Sequence, residues 1–436
     1  MLRRMQYEAA GRIGAPFLAA LEAWQRRLRP RGAPRESPFG PPLEATRKLK
    51  ELMTAHYFQG RYADGAVPVA WVTSGFPVEV LRPLGFHAVY PENHAALCGV
   101  RRIVPELSDA AEAEGYARDL CSYARTDVGS LLTGSTPVGR LPRPDLLACC
   151  TNICQTVLYW YRALAAKLGV PLVLVDTPYV YGEAKPHHRA YVRAQLEELV
   201  AVAERVSGRK IDPEELAEAT RKAKEGSELW GECLAAATSK PAPWTGFDGF
   251  FHIAPIVTLR GTDACNAYYR LLRDELCDRV RRGVGGIRRE EHRLLWDNLP
   301  IWFAVREIST TLAERGFNFV CTSYTNAWAE AGSRVDPADP LGSAGVAYTH
   351  VILNQDLRHR LDTLRRLARE YQVDGAVLHS DRSCKPYSVG QVDLKERLAA
   401  ELGLRVLLLE ADHNDPRAWA SEQADNRLTA FMESFA

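Results

Sequence analysis

The sequence predicts an α/β protein: two doubly wound parallel-sheet (Rossmann-like) domains facing each other across a cleft, with helical N-terminal and inter-domain segments. Three observations carry this. Short apolar runs alternate with amphipathic helical stretches, as parallel strands buried on both faces and their crossovers require. The alternation stops between about residues 186 and 282 and then restarts. At 436 residues the chain is also too long for one ordinary core.

The N-terminal stretch is basic and amphipathic, without the apolar run and small-residue cleavage site of a secretion signal, and reads as a helix. A Pro/Gly-rich break follows at 30–43. In the first α/β unit, 66–74 ("AVPVAWVTS") reads as a strand, 77–85 as a helix and 87–92 ("HAVYPE") as a second strand. "DLLACC" (145–150) is a third, followed by a helix, and "VPLVLVDTP" (170–178) is the fourth. Two long amphipathic helices occupy 186–240, and after the loop "SKPAPWTGFDGF" (239–250) more helix runs to about 282. Strands are then expected at 294–302, 317–323, "VDGAVLHS" and "LRVLLLEAD", with helices between them and one at the end. The predicted units are 1–60 (helical), 61–240 (first α/β domain with its helical extension) and 241–436 (second α/β domain).

Composition limits function. The chain is 46% hydrophobic and 25% charged with formal net charge +1, which gives no general electrostatic case for nucleic acid or an acidic membrane surface. No run approaches the ~18 apolar residues of a spanning helix. Ten cysteines without a signal peptide point to a reducing cytoplasm, where thiols serve metals or catalysis more often than disulfides.

In open parallel sheets, ligands bind beyond the carboxyl ends of the strands. Ser74 ends the first strand there, Glu92 closes the second, and Cys154 follows the third; Cys384 follows "GAVLHS", and Cys121 opens a loop before the third strand. Arg382 and Lys385 flank Cys384 and are expected to favour its thiolate. Cys233, Cys265 and Cys277 read as core filling on amphipathic helices, and Cys149 and Cys150 as strand packing. Cys98 and Cys321 fall near the expected cleft and read equally as packing or as site thiols. "CCTNIC" supplies half of a zinc ribbon and no second half exists. A cysteine hydrolase using His94 or His379 as base would leave two thiols surplus. Iron–sulfur ligation suits soft thiolates gathered from distant segments, and the residues alone leave it beside these alternatives.

The segments "WVTSGFP", "YPENHAA", "DLCSYAR", "CCTNIC…WY…GVPL", "GFDGF", "RSCKP" and "ADHNDPR" occur in an order that resembles the 2-hydroxyacyl-CoA dehydratase and benzoyl-CoA reductase family, most closely the larger (alpha) dehydratase subunit. The resemblance runs from about residue 66 onward. It implies one [4Fe–4S] cluster held by Cys121, Cys154 and Cys384, with an open iron that meets an acyl-CoA. It places Ser74 beside that iron and Glu92 facing the substrate. It implies removal of water through a ketyl radical started by one low-potential electron, the open iron acting as Lewis acid. The partners implied are a smaller homologous subunit or a second copy, and a separate ATPase activator with its own iron–sulfur cluster. No G-x-x-x-x-G-K-[ST] phosphate loop is present, and "RRGVGGIRR" is no substitute. Some relatives carry a flavin, whose site nothing in the sequence locates. His94 stands where dehydratases tend to have Gln; "ENHAA", "CSY" and "LLTGSTPVGRLP" lean toward the reductase subunits, which keeps aromatic acyl-CoA reduction, with His94 as proton donor, and electron transfer without a substrate as alternatives. "ADHNDPR" is expected to shape a loop near the cleft.

Overall fold

The computed structural model describes residues 2–28 and 36–436, so part of the Pro/Gly-rich break at 30–43 lies outside the described residues. Eight strands are present among them: β1 (Val69–Val72), β2 (His87–Val89), β3 (Leu146–Cys150), β4 (Leu172–Val175), β5 (His292–Asp297), β6 (Phe317–Thr322), β7 (Gly375–Asp381) and β8 (Arg405–Ala411). They form two four-stranded sheets of the same order, β2-β1-β3-β4 and β6-β5-β7-β8. Every pairing is parallel. β1 and β3 are buried at every position, the inner-strand pattern that their unbroken apolar sequence implies.

Helices fill the crossovers, and most were legible: Thr156–Leu168 after β3, the long pair Pro186–Ser207 and Pro213–Ala235, then Asp263–Arg281, Leu357–Glu370, Gln391–Leu402 and Ser421–Glu433. Three expectations change. The helix at 77–85 is only one 3₁₀ turn, Val78–Leu81, because Pro83 cannot donate and Gly85 turns the chain with φ +77°. Strand β2 ends at Val89, because Pro91 suits the first position of a helix, Pro91–Val100; Glu92 therefore sits in that helix's first turn instead of closing the strand. Cys121 does not open a loop: it is the N-cap residue of helix Ser122–Thr133.

The largest apolar core is continuous across both sheets, containing Ala70 and Leu146 from the first and Leu295 and Leu378 from the second. Cys149, Cys150, Cys233 and Cys265 pack in apolar cores as expected, whereas Cys277 is exposed. Cys321 is buried away from the site as a result of a β6 irregularity: Leu294 pairs with Phe319 but Leu295 with Cys321. That extra residue leaves Cys321 in the same core as Val320, not that of Phe319. No helix of the described residues is long and apolar enough to cross a membrane.

Candidate functional site

The carboxyl ends of both sheets border one cavity of about 800 Å³. Its lining includes Ser74, Glu92, Cys121 and Cys154 from the first half, and Tyr324, Cys384, Tyr387 and His413 from the second. The three cysteines arrive on three separate segments, each at the start of a helix. Cys121 caps Ser122–Thr133, Cys154 lies just before the N-cap residue Gln155 of Thr156–Leu168, and Cys384 caps the single turn Lys385–Ser388. Free N–H groups at helix starts favour sulfur-borne negative charge. The amides of Val157 and Thr156 point at Cys154, and that of Tyr387 at Cys384.

Cys154 and Cys384 sense neighbouring sulfur electrostatically. Burial pushes the Cys154 thiol up to about 12, with Cys121's charge adding to it. Cys384 is raised well above its ordinary value, by burial first and then by Asp381, Cys121 and Cys154. The expected help from flanking cations is absent. Arg382 pairs with Glu410 at 2.7 Å, and Lys385 donates to the Arg382 carbonyl. At the end of β7 these side chains follow the strand edge outward, so burial decides the thiol's protonation. Deprotonation would then accompany any metal binding instead of preceding it.

Among the described residues, the one group of three or more donors drawn within 4.8 Å of each other is Asp381, Asp412 and His413, not the cysteines. Those carboxylates are already engaged. Asp381 accepts from the Ser383 and Cys384 amides and meets His413 Nδ1 at 2.6 Å; Asp412 accepts from the Asn414 and Asp415 amides and from Ser383 Oγ. The three cysteine sulfurs do not form such a group. Three soft donors on one cavity, each backed by a helix start, fit an iron–sulfur group.

Ser74 and Glu92 form one unit. Ser74 donates through Oγ to one Glu92 oxygen (3.0 Å) and through its amide to the other (2.9 Å). Burial nevertheless raises the Glu92 carboxyl to about 7; the Ser74 bonds oppose this and the charge of Asp127 adds to it. Ser74 is thus a hydrogen-bonding partner of Glu92. His94 lies outside the cavity lining, fully buried with Nε2 2.7 Å from Thr136 Oγ1 and 3.8 Å from Cys98 Sγ. Cys98 packs with Val104 and Leu107 in a small separate cluster.

Sequence reasoning missed two groups. His413 is the first. Burial alone would depress it, but the charge and hydrogen bond of Asp381 hold it well above its ordinary value, and it also meets Ser122 Oγ (3.0 Å) and the Cys121 thiol. Its segment seams the halves: Asn414 donates to Ala95 O (3.0 Å) and Thr126 Oγ1 (3.1 Å), and Asp415 pairs with Arg125 (2.9 Å). Gly99 makes room for this, since a Cβ there would stand 2.0 Å from Asn414 Oδ1. The polar run "ADHNDPR" at a strand's carboxyl end was the available signal. The second is Asp127, buried behind Trp160, whose indole donates to it at 2.8 Å. One acid on a helix pattern carries no such signal.

Residues 73–435 match the model of the family described as "2-hydroxyglutaryl-CoA dehydratase, D-component". The (R)-2-hydroxyisocaproyl-CoA dehydratase alpha subunit of Clostridioides difficile is 34% identical over 89% of this chain and 96% of its own length. The (R)-phenyllactyl-CoA dehydratase alpha subunit of Clostridium sporogenes is 32% identical (84% and 89%). A benzoyl-CoA reductase subunit of Thauera aromatica is 30% identical (88% and 93%). The chain therefore belongs to the 2-hydroxyglutaryl-CoA dehydratase D-component family, whose members named here are dehydratase alpha subunits and a benzoyl-CoA reductase subunit.

Proposed function

We propose that this chain is the cluster-bearing subunit of an ATP-activated 2-hydroxyacyl-CoA dehydratase, a hydro-lyase. The observation that carries the reading is the meeting of three cysteines with the Ser74–Glu92 pair on one cavity. Cys121, Cys154 and Cys384 would hold one [4Fe–4S] cluster. When bound, that group supplies a route for one low-potential electron to the thioester and an open coordination position for the acyl group, the conditions for loss of the α-hydroxyl through a ketyl radical.

The chain's own residues do the rest. Amides at the helix starts hold the thiolates. Glu92, poised near 7, can give or take one proton near neutral pH, while Ser74 fixes its orientation. The helix that begins at Pro91 leads to exposed Arg101, and exposed Lys50 and Arg61 also line the cavity; these cations suit the phosphates of CoA. Electrons are supplied, in this reading, by a separate ATPase activator, with a smaller homologous subunit or second copy completing the enzyme in the cytoplasm. Each sheet is read as doubly wound, because the order 2-1-3-4 with right-handed crossovers places helices on both faces. A benzoyl-CoA reductase-type activity remains the second reading, favoured by the reductase relative.

Anaerobic purification tests the proposal. About four irons per chain are expected, lost in Cys154→Ala and Cys384→Ala, with a cluster spectrum that changes on adding acyl-CoA. Turnover of 2-hydroxyacyl-CoA esters with activator and ATP completes it. Iron-free protein with full activity would overturn it, and ring reduction without dehydration would select the second reading.

A further inference from the structure

Resting on the acyl-CoA reading and deepening it, we propose that the acyl group taken here is bulky, apolar and uncharged, a branched aliphatic or aryl chain, held in an aromatic box of Trp160, Phe250, Trp302 and Tyr324.

All four side chains line the cavity, at its cysteine end. The Trp302 indole donates to the Tyr123 hydroxyl, and the Tyr123 ring stands edge-on to His413 at 4.2 Å, beside Cys121. Phe250 lies 6.4 Å from the Trp302 ring and 6.3 Å from Tyr324. Tyr324 is close enough to Glu92 for the carboxyl's charge to add to burial in raising its hydroxyl. Trp160 rides on the helix that follows Cys154.

Apart from the Tyr324 hydroxyl, the box presents carbon to its contents. Both indole N–H groups are spent on the wall itself, Trp160 on Asp127 and Trp302 on Tyr123. Both buried cations of the cavity lining are committed, and the others, Lys50, Arg61 and Arg101, are exposed. Arg260 is consumed by the carbonyls of Phe76 (2.5 Å) and Ile256 (3.1 Å) and by Glu79 (3.4 Å). His413 is held by Asp381. Arg101 lies nine residues along the helix from Glu92, about 13 Å at the helical rise. A carboxylate at the acyl end would give up its hydration without a counter-charge. A two- or three-carbon chain would leave the aromatic walls without contact partners.

Saturated thioesters, which have no leaving hydroxyl, separate this inference from the dehydration reading. Calorimetric binding of propanoyl-, 4-methylpentanoyl-, 3-phenylpropanoyl- and glutaryl-CoA to the anaerobic holoprotein is the test. The 4-methylpentanoyl and 3-phenylpropanoyl esters should bind roughly tenfold or more tighter than propanoyl-CoA, and glutaryl-CoA roughly tenfold or more weaker than 4-methylpentanoyl-CoA. Phe250→Leu, which keeps the site apolar, should narrow the preference for 3-phenylpropanoyl over propanoyl several-fold; should that variant fail to fold, the panel on the unsubstituted protein decides. Equal affinity across the four esters overturns the box and leaves acyl-CoA binding standing. Absence of binding by all four overturns both.

Discussion

Asp127 is a buried carboxyl whose only side-chain donor among the described residues is the Trp160 indole, and burial raises it from 3.8 to about 7. At 1.36 kcal/mol per pH unit that rise is a burden of about 4 kcal/mol on the folded state once the group ionises. Its sign is set by proton counting. Between pH 3.8 and about 7 the unfolded chain has released this proton and the folded chain keeps it, so stability falls as pH rises through that window. By pH 5.5 about half of the loss has occurred, leaving about 2 kcal/mol to be lost by pH 8.5. Asp127→Asn keeps an acceptor for the indole and carries no titrating proton, so its stability relative to the parent should grow by that amount over the interval. With an unfolding entropy near 2.1 cal/mol/K per residue, the melting-temperature gap should widen by about 2 °C between pH 5.5 and 8.5. Because Asp127 also raises Glu92, the variant should move the alkaline limb of kcat to lower pH. A melting-temperature gap that stays constant or narrows would show that Asp127 is already ionised in the fold, and the argument from burial would fail.

Glu92→Gln should lower kcat by ~10²–10⁴ with iron content unchanged; unaltered turnover in a stopped anaerobic assay would remove the proton-transfer role. His94→Gln should hold turnover within a few-fold, because His94 is bonded to Thr136 behind the cavity wall; a hundredfold loss would mean that it reaches the substrate after all. Gly99→Ala should destabilise by about 1–3 kcal/mol through overpacking against Asn414, read as a lower melting temperature, and a neutral result would show that the seam yields freely.

The eight strands were readable because each is an apolar run ending in polar residues, and that pattern survives any tertiary context. What failed were the boundaries set by single residues: Pro91 turning the expected end of β2 into a helix start, Pro83 stopping a helix after one turn. Of the six site residues, five meet at the cavity, since a strand's carboxyl end or the loop beyond it can be located from sequence. His94 could not be placed that way. A helix residue two positions from Glu92 points to a different face, and only the packing shows that its face belongs to Thr136 and Cys98. The protonation expectation for Cys384 failed for a similar reason: neighbours in sequence along a strand end point apart, so Arg382 and Lys385 serve Glu410 and a carbonyl, while the charges that reach the sulfur come from Asp381 and two distant cysteines.

The seam divides the three proposed ligands between the halves. Cys121 and Cys154 belong to the first half and Cys384 to the second, so the three share a wall only when the halves are docked. The docking contacts stand beside these cysteines themselves. Ser122, next to Cys121, donates its N–H to the hydroxyl of Ser383, next to Cys384, at 3.2 Å, and its own hydroxyl meets His413. Asp381, which aligns the Cys384 turn through two amides, also holds His413 against Cys121. A change that loosened the halves would therefore displace one sulfur relative to the other two. If the three cysteines hold the proposed cluster, metal retention and inter-half packing are one property, and loss of iron should accompany any substitution, Gly99→Ala included, that opens the seam without touching a cysteine.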